Sequence, residues 1–399
     1  MASHPKGTAH HWLCCGRFPP PRDGQSIATQ ELVELLAPDF TFTCLNSAAR
    51  PPEGRIIPPG QLRMKRVGEM LRYLLTLRSF TARYPLPILY AILSGNWLGH
   101  LRDCAAFAWA IPQERPIVVW THNSLSGLHD SAIWHRTLGW LARRARFFVF
   151  AAPRLAKPLC KLLPEDRVTF IPNPIARAML CSSEEIHQKL RATDLSAGLR
   201  LLFVGHMIPE KGGWRVLEAA AQLQRDEIPF HLTYVGEWPD ADAPRYFFTQ
   251  VDRLGLRSRV THRGGIHEPG VIRQLLLRNH VLVFPTTYAM EAQPLVVLEA
   301  LNAGCAVVST PHAAIPDVVQ SGVNGFLTPP HPDEIARAVA RYWHEPGLWH
   351  KHASTARQHF ETYFSPAVIR YRWAELLRHV EQELSHAGPR EQPTPSSSC

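Results

Sequence analysis

No stretch of this sequence is apolar over a length that could span a membrane. Its most apolar run, residues 86–93, is followed at once by Ser94, Gly95 and Asn96, whereas a membrane-spanning helix needs about 20 apolar residues. The apolar residues 12–15 are too short for the core of a signal peptide, which takes about 7–15 residues. The sequence therefore predicts a cytoplasmic protein without a membrane span.

Cysteine spacings that bind zinc are also missing. The eight cysteines form no C-x-x-C pair, and Cys14 and Cys15 are adjacent, although zinc ligands are separated by about two to four residues. Asp240 and Asp242 have the form of a metal-binding Asp-x-Asp motif, but they stand in a Pro-containing loop and are interpreted as a surface turn. We expect no metal site, and a reducing compartment is the simplest setting.

Signatures of several other binding classes are absent as well. No G-x-G-x-x-G follows a predicted strand, which argues against a nicotinamide-dependent dehydrogenase, and no G-x-x-x-x-G-K-[ST] is present, which argues against a P-loop enzyme. The basic charge of the chain comes without an aromatic platform or a known recognition motif, so nucleic acid is not an expected partner.

Strand and helix patterns alternate along the chain. A length of 399 residues indicates two or three domains, and 45% hydrophobic with 19% charged residues is typical of a globular protein. Short apolar runs alternating with helical spacing predict an α/β fold with parallel sheets. The predicted strands lie at residues 11–15, 41–45, 88–93, 117–120, 147–150, 168–171, 232–235, 260–263, 281–284 and 306–309, with another beginning at residue 201.

The most informative segment is residues 285–304, which follow the apolar strand at residues 281–284. Glu291 stands just before a predicted helix and Glu299 about two turns inside it, with Pro294 suited to the first turn. A spacing of eight residues at about 3.6 per turn places both carboxylates near one side. Free N–H groups of the first turn would suit a phosphate or a sugar hydroxyl there. The alternative is an ordinary strand–helix unit with two solvated glutamates.

A second loop of the same kind follows the buried strand at residues 201–204. Gly205 and Gly212 let the backbone come close to a ligand. Lys211 is a positive charge at a place where a diphosphate would fit. A helix is predicted over residues 214–225. For Lys211 the alternative is a solvated loop lysine.

Four motifs in order carry a resemblance to a known family. They are Val-Gly-x5-Lys-Gly, Glu-x7-Glu, Ala-x-x-Pro-Asp-x-Val and Gly-x-Asn-Gly-Phe-Leu. The chain resembles the retaining glycosyltransferases of family 4, of the bacterial polysaccharide and glycolipid type. The implied fold is GT-B, in which two Rossmann-like, doubly wound parallel-sheet domains face a cleft. The resemblance is dense over residues 171–330 and weaker over residues 20–26 and 118–123.

The resemblance implies roles for individual residues. Lys211 would neutralise the donor diphosphate, Glu291 would hold the donor sugar, and Glu299 would accept hydrogen bonds from the ribose. His122 would face the sugar near the reacting centre, so His122, Lys211 and Glu291 are the expected catalytic residues. Gly24 would leave room for the donor phosphates. The whole expected donor site comprises Gly24, Gly205, His206, Lys211, Glu291, Ala292, Gln293, Leu295 and Glu299.

Two positions depart from the family pattern. His206 stands where many members have Arg, so neutralisation of the diphosphate would rest more on Lys211. Pro294 has no N–H group, so one amide contact would be lost, and the side chain of Gln293 is a possible substitute. The alternatives for the N-terminal positions are a core-bonded histidine at His122 and a simple turn at Gly24.

The resemblance also implies a division of the chain. An acceptor-binding domain would span residues 1–180 and a nucleotide-sugar-binding domain residues 181–364. A helix at about residues 365–385 would pack back on the first domain, and the Pro- and Ser-rich residues 386–399 would form a disordered tail. The first domain carries 22 Lys and Arg against 11 Asp and Glu, which favours an anionic or lipid-linked acceptor.

Much of this positive charge lies in a predicted amphipathic helix at residues 61–84. Arg63, Lys65, Arg66 and Arg72 are interleaved there with leucines at near-helical spacing. A basic amphipathic helix can lie on an anionic membrane, so a peripheral position on the inner face of the plasma membrane is expected. The alternative is a core-packed helix with a solvated basic face.

The function implied is metal-independent transfer of a hexosyl group from a nucleotide-sugar to an acceptor hydroxyl, with retention, in polysaccharide or glycolipid synthesis. We expect no cofactor beyond the donor substrate, whose nucleotide is UDP or GDP. The expected partner is a glycan or lipid-linked acceptor. Two alternatives stay open, a catalytically silent GT-B binding or scaffold protein and a GT-B nucleotide-sugar epimerase.

Overall fold

The computed structural model describes residues 10–20, 23–47, 64–94, 96–122 and 131–386. Within these residues the predicted alternation of strands and helices is confirmed. The strands form two separate six-stranded sheets, and all strand pairs are parallel. Because parallel strands need crossover connections, helices cover both faces of such sheets.

The first sheet is built by the first half of the chain. Its strands are β1 (His10–Gly16), β2 (Phe40–Asn46), β3 (Ile88–Tyr90), β4 (Ile117–Trp120), β5 (Phe147–Phe150) and β6 (Val168–Phe170). They are ordered β2-β1-β3-β4-β5-β6. The chain therefore reverses direction across the sheet at the β1–β3 pair, and doubly wound sheets bind ligands beyond the strand ends at such a point.

The second sheet repeats this plan. Its strands are β7 (Leu199–Val204), β8 (Phe230–Val235), β9 (Val260–His262), β10 (Val281–Phe284), β11 (Ala306–Ser309) and β12 (Gly325–Leu327). They are ordered β12-β11-β10-β7-β8-β9, so the reversal falls between β7 and β10. The loops that follow these two strands carry Lys211 and Glu291, which places both residues at the expected ligand-binding edge.

Helices connect consecutive strands in both halves. Those of the first half are α1 (Gly24–Leu36), α2 (Met64–Arg83), α3 (Trp97–Ala105), α4 (Ala132–Arg144) and α5 (Pro153–Ala156). Those that follow are α6 (Ser183–Ala192), α7 (Gly213–Arg225), α8 (Ala243–Arg253), α9 (Pro269–Arg278), α10 (Leu295–Asn302), α11 (Ile315–Val318), α12 (Pro332–His344), α13 (Pro346–Tyr363) and α14 (Pro366–His386).

The central strands are buried on both faces. All four residues of β4, β10 and β11 are buried, which explains why their sequences are continuous apolar runs rather than alternating ones. One strand was not predicted from the sequence. The short strand β12 lies inside the glycine-containing motif at residues 322–327, where three residues are too few to give a periodic signal.

The last helix, α14, packs on the first sheet. The Trp373 side chain is fully buried there, with its ring centroid 5.3 Å from that of Trp120. The Trp12 indole N–H donates to Glu381 Oε1 at 2.7 Å. Asp39 beside β2 pairs with two arginines of α14, Arg370 at 2.8 Å and Arg378 at 2.9 Å. The chain thus crosses twice between the two sheets, once after β6 and once between α13 and α14.

Candidate functional site

A cavity of about 290 Å³ opens between the carboxyl-terminal edges of the two sheets. The first half of the chain contributes Gly24, Gln25, His122 and Asn173 to its lining. The second half contributes residues that include Gly205, His206, Lys211, Glu291, Ala292, Gln293 and Leu295. The structure therefore brings eight of the nine predicted donor-site residues, and His122, to one place. The exception is Glu299.

Lys211 and Glu291 form an ion pair at the centre of this cavity. Lys211 ends a 3-10 turn after β7, and its Nζ donates to Glu291 Oε2 at 2.6 Å. The same oxygen accepts a hydrogen bond from Thr286 Oγ1 at 3.2 Å. Lys211 Nζ also lies 4.9 Å from the ring centroid of Tyr288. An ammonium held between a carboxylate and an aromatic face is fixed in position, and it stands where an incoming anion can replace the carboxylate as its partner.

Gly212 and Gly205 allow the two loops to approach each other. Gly212 has φ of +87°, and a Cβ atom there would lie 2.4 Å from Pro285 O in the loop after β10. At Gly205 a Cβ atom would lie 3.3 Å from the Phe284 ring. Only glycine accepts the left-handed conformation without strain in such close contact. The loops are also joined directly, because Thr287 N donates to Glu210 O at 2.7 Å.

The helix after β10 begins later than the sequence predicted. Pro294 is the extended N-cap residue, and α10 starts at Leu295 rather than at the proline. Glu291 therefore precedes the helix in a separate turn, in which its N–H donates to Tyr288 O at 2.9 Å. The first-turn N–H groups of Leu295 and Val296 have no intrahelical acceptor, and both residues line the cavity. This helix start is a suitable anion site.

The side chain of Gln293 makes hydrogen bonds to the first half of the chain instead of the predicted contact in the donor site. Its Oε1 accepts from Asn173 N at 2.8 Å, and its Nε2 donates to Ala151 O at 3.2 Å. Both partners belong to loops at the edge of the first sheet. The amide is thus engaged in a contact between the two halves, so it does not substitute for the N–H that Pro294 lacks.

Glu299 lies in α10, half-buried and outside the lining of the cavity. As predicted, Glu291 precedes the helix and Glu299 lies inside it, but only Glu291 lines the cavity. Its carboxylate makes no hydrogen bond or ion pair with the described residues. Burial raises the pKa of Glu299 to about 7, since a low-polarity surrounding disfavours the charged form.

His122 stands just beyond the end of β4 and faces the cavity from the first half. Its ring centroid lies 3.9 Å from that of Trp120, and its Nε2 lies 3.5 Å from Thr29 Oγ1. Burial lowers the pKa of His122 to about 3. The imidazole is therefore neutral at pH 7, and can exchange hydrogen bonds with a hydroxyl group without carrying charge.

Gly24 and His206 occupy the rim. Gly24 is the first residue of α1, which Asp23 caps by accepting from Ser26 N at 2.9 Å, so it opens a helix rather than lying in a loop. A Cβ atom at Gly24 would meet nothing within 4 Å, which leaves room beside the helix N-terminus. His206 is exposed, directly after Gly205.

Asp240 and Asp242 lie on the surface before α8. Asp240 Oδ1 accepts from Asp242 N at 3.0 Å and from Ala243 N at 2.8 Å, which is the pattern of a capped turn. Among the described residues, no group of three or more His, Cys, Asp or Glu side chains is arranged to hold a metal ion.

The predicted basic helix corresponds to α2. Arg63 lies outside the described residues. Lys65 and Arg66 are part of α2, but their side chains are not among those described, whereas Arg72 is exposed. Leu71 and Leu75 are 53% and 59% exposed.

The opposite side of α2 is packed. Tyr73, Leu74 and Leu77 are buried against the first sheet. The interpretation as a helix with one core-packed side is therefore correct for part of α2, and two leucines remain on its outer surface. No helix in the described ranges is long and apolar enough to cross a membrane.

Sequence reasoning missed several residues of the site. Gln25 lines the cavity and donates from Nε2 to Ala91 O at 2.9 Å. Asn173, in the segment between β6 and α6, bonds to Gln293. Thr29 and Trp120 hold the His122 ring. Apart from the Trp120–His122 contact, these contacts join residues far apart in the chain, so spacing along the sequence carries no sign of them.

Parts of this chain are similar to known proteins. Residues 185–359 match the family model described as glycosyl transferases group 1. The chain is 27% identical over 158 residues to a putative colanic acid biosynthesis glycosyltransferase of Salmonella typhimurium, covering 39% of this chain and 37% of that protein. It is 26% identical over 315 residues to α-maltose-1-phosphate synthase of Mycobacterium tuberculosis, covering 73% and 77%. The chain thus spans about a third of the length of the first of these relatives.

Solved structures define the fold. HepE of Anabaena in complex with UDP-glucose superposes with a TM-score of 0.68 at 18% identity, covering 92% of this chain and 99% of that one. Sucrose-phosphate synthase of Thermosynechococcus elongatus superposes with a TM-score of 0.71 at 16% identity, covering 94% and 100%. The predicted two-domain α/β architecture is confirmed. Residues 185–359 thus match the glycosyl transferases group 1 family, and the chain has the GT-B fold.

Proposed function

We propose that this protein transfers a sugar from a nucleotide-sugar to an acceptor hydroxyl, with retention at the anomeric carbon, in polysaccharide or glycolipid synthesis. The observation that carries the proposal is the Lys211–Glu291 pair beside the start of α10, in a cavity lined by both halves of the chain. A cation and free amides on one side, and a carboxylate beside them, suit a diphosphate joined to a sugar.

Departure of the diphosphate is the step that these groups would assist. As the bond between the anomeric carbon and the phosphate oxygen breaks, negative charge grows on the diphosphate and positive charge on the sugar ring. Lys211 and the first-turn amides of α10 would stabilise the former. Glu291, released from Lys211 by the bound diphosphate, would accept hydrogen bonds from the donor sugar hydroxyls.

His122 would act from the opposite wall as a neutral group. Since its pKa is held near 3 by burial, it would donate or accept a hydrogen bond at a sugar hydroxyl and would not serve as a charged acid near pH 7. Two features support this role, its place in the cavity lining and its fixed ring orientation against Trp120.

The proposed reaction requires neither a metal ion nor a cofactor, because Lys211 and the helix start supply the positive field. The decisive experiment is a screen of UDP- and GDP-sugars by thermal stabilisation and by slow hydrolysis, with and without EDTA. A bound donor raises the melting temperature as its concentration exceeds Kd. We expect one nucleotide-sugar to stabilise and to be hydrolysed, with EDTA making little difference. Stabilisation without any turnover would indicate a binding protein. Interconversion of the donor sugar would indicate an epimerase, and loss of activity in EDTA would indicate a metal-dependent enzyme.

Glu299 gives a pH-dependent prediction. If the Glu299 carboxylate accepts hydrogen bonds from the ribose hydroxyls, the nucleotide-sugar binds the protein with Glu299 deprotonated. Because burial favours the protonated form of Glu299, that proton must be lost before the nucleotide-sugar binds. With a pKa of about 7 in the free protein, affinity for UDP-glucose rises as pH rises through 7. We expect the Kd for UDP-glucose, measured by calorimetry, to be roughly ten-fold higher at pH 6 than at pH 8.

The control for this prediction is Glu299→Gln, which keeps the shape of the side chain but does not titrate. Its affinity for UDP-glucose should be flat over the same range of pH. UDP-glucose is the appropriate ligand because its diphosphate has no ionisation near pH 7. A pH profile that persists in Glu299→Gln would assign the titration to another group and contradict the ribose contact.

We also propose a glycan or lipid-linked acceptor and a peripheral position on an anionic membrane, at the inner face of the plasma membrane. Support comes from the outer surface of α2, where Leu71 and Leu75 stand exposed beside Arg72. Exposed leucines flanked by arginine suit the boundary between lipid headgroups and acyl chains. Each cation near such a surface contributes about 1 kcal/mol.

Vesicle co-sedimentation tests this membrane proposal. We expect binding to vesicles containing phosphatidylserine, decreasing with salt, and loss of that binding when Arg63, Lys65, Arg66 and Arg72 are changed to Gln. Activity on a soluble acceptor analogue should survive, because Arg72, the described member of the set, is not part of the cavity lining.

The leucines provide a second arm of the same experiment. Leu71→Ser with Leu75→Ser should weaken vesicle binding at high salt as well, since each buried leucine contributes roughly 1.5–3 kcal/mol. The matched control is Val323→Ser, which removes an exposed apolar side chain from the second half. Equal binding of all variants, or binding to neutral vesicles alone, would contradict the proposal.

A further inference from the structure

Two cysteines lie side by side on neighbouring strands of the first sheet. Cys14 of β1 and Cys44 of β2 are register partners in a parallel strand pair. Neighbouring strands are about 4.7–4.9 Å apart, and the Cα atoms of disulfide-bonded cysteines are usually about 4.4–6.8 Å apart. The backbone therefore holds the two residues at a separation that a disulfide bond can bridge.

The side chains of Cys14 and Cys44 are on the same face of the sheet. Successive residues of a strand alternate between faces. Trp12, two residues before Cys14, belongs to the same apolar cluster as Cys14, and Phe42, two residues before Cys44, packs against that cluster. Cys15 belongs to the cluster on the opposite face. The neighbour of Cys44 across the strand pair is thus Cys14 and not Cys15.

The two thiols have different surroundings. Cys44 is exposed on β2, the last strand at one end of the sheet, whereas Cys14 is fully buried. A hydrogen bond from the Cys14 side chain lowers the pKa of Cys44, because it favours the thiolate. The same hydrogen bond, together with burial, raises the pKa of Cys14. The thiolate is the form that peroxides oxidise, and redox-sensing cysteines are accessible and lie next to a second, resolving cysteine.

We propose that Cys44 and Cys14 form a redox-modification site, in which a hydroperoxide oxidises Cys44 and Cys14 converts the product into a disulfide bond between β1 and β2. Neither cysteine lines the cleft cavity, so the site is separate from the proposed donor site. An exposed disulfide is readily reduced by thiols, so the bond is reversible in a reducing compartment.

The chemistry takes place in two steps. The sulfur of Cys44 attacks one oxygen of hydrogen peroxide, the O–O bond breaks, and the leaving hydroxide takes the thiol proton and departs as water. Cys44 is then a sulfenic acid. The sulfur of Cys14 attacks the sulfur of Cys44, the S–O bond breaks, and the leaving hydroxide takes the Cys14 proton. Two thiols are thus oxidised to one disulfide while one peroxide is reduced to two water molecules.

Mass spectrometry tests the site. The full chain is reduced, freed of reductant and treated with hydrogen peroxide at low protein concentration. We expect the intact mass to fall by about 2 Da, the mass of two hydrogen atoms, as a disulfide forms. Tryptic digestion should yield the peptide that carries Cys14 cross-linked to the peptide that carries Cys44. Dithiothreitol should restore the original mass.

Variants identify the two sulfurs. Cys14→Ala should abolish the cross-link and leave Cys44 as a sulfenic acid, which dimedone traps. Cys44→Ser should abolish both the cross-link and the dimedone adduct at this site. The matched control is Cys15→Ala, because Cys15 is equally buried on the same strand but is on the opposite face; its cross-link should form as in the wild type. Cys160→Ser, which removes another exposed thiol, should also leave the cross-link unchanged.

Four outcomes would overturn the proposal. They are an unchanged thiol count in the wild type after peroxide treatment, a cross-link that persists in Cys14→Ala or Cys44→Ser, a cross-link lost in Cys15→Ala, and a cross-link only between two copies of the chain. Melting curves of the reduced variants establish that each is folded before it is oxidised. None of these measurements uses a nucleotide-sugar, so their result is independent of the proposed function.

Discussion

Replacing Lys211 by alanine should reduce sugar transfer more than ten-fold. The ammonium lies 2.6 Å from Glu291 and lines the same cavity as the first residues of α10, the helix proposed to bind the diphosphate. Loss of about 1.4 kcal/mol of leaving-group stabilisation already reduces the rate ten-fold, and removing one preorganised donor from such a site often costs 10²–10³-fold. The measurement is kcat with the best donor of the nucleotide-sugar screen.

The effect on kcat should exceed the effect on donor Kd, because charge on the diphosphate grows as the bond breaks. Lys157→Ala is the control, since it removes an exposed lysine on a short helix of the first half and should leave kcat unchanged. Lys211→Arg retains the charge with a different shape and should keep part of the activity. Wild-type kcat in Lys211→Ala would remove Lys211 from the mechanism.

Replacing Trp373 by alanine should lower the free energy of unfolding more than any other substitution proposed for this protein. The indole is fully buried between α14 and the first sheet, 5.3 Å from the Trp120 ring. Trp-to-Ala changes in a packed core cost about 3–5 kcal/mol, because contacts are lost and a void remains. We expect calorimetry to show a clearly lower melting temperature. The part of the unfolding transition that occurs at the lowest temperature should shift most.

Tyr371→Ala provides the comparison for this change. Tyr371 is on the same helix but is 66% exposed, so its loss should alter the free energy of unfolding by about 0.5 kcal/mol or less. Trp373→Ala also removes a contact of Trp120, whose ring packs against His122. Unchanged melting in Trp373→Ala would show that α14 contributes little to the first domain.

Much of the fold could be predicted from the sequence, because buried parallel strands leave a local signal. The bounds of β4, β5, β10 and β11 coincide with the predicted apolar runs. The loops after β7 and β10 were recognised from glycine, lysine and glutamate at motif spacing, and the structure places them side by side. The domain limits at residues 180 and 364 stay a prediction.

Other features of the site depend on contacts that spacing does not encode. The start of α10 one residue after Pro294 depends on the extended conformation of that proline. The engagement of Gln293 by Asn173 and Ala151 joins residues more than 100 positions apart. The shift in the pKa of Glu299 follows from burial, which only the assembled structure reveals. Local periodicity predicts elements well, whereas the partners of a polar side chain are a property of the packed chain.

The return of α14 to the first sheet has a consequence for the order in which the protein matures. Trp12 bonds to Glu381, 369 residues later, so the cover that α1 begins on that face of the first sheet is not complete until nearly the whole chain has left the ribosome. Until then, apolar side chains such as Trp12 and Trp120 remain partly open to solvent, and nascent chains with such surface are prone to aggregate. The second sheet, whose strands and covering helices are consecutive, can complete its core first. The half of the molecule that is synthesised first is thus expected to be the last to reach its final form.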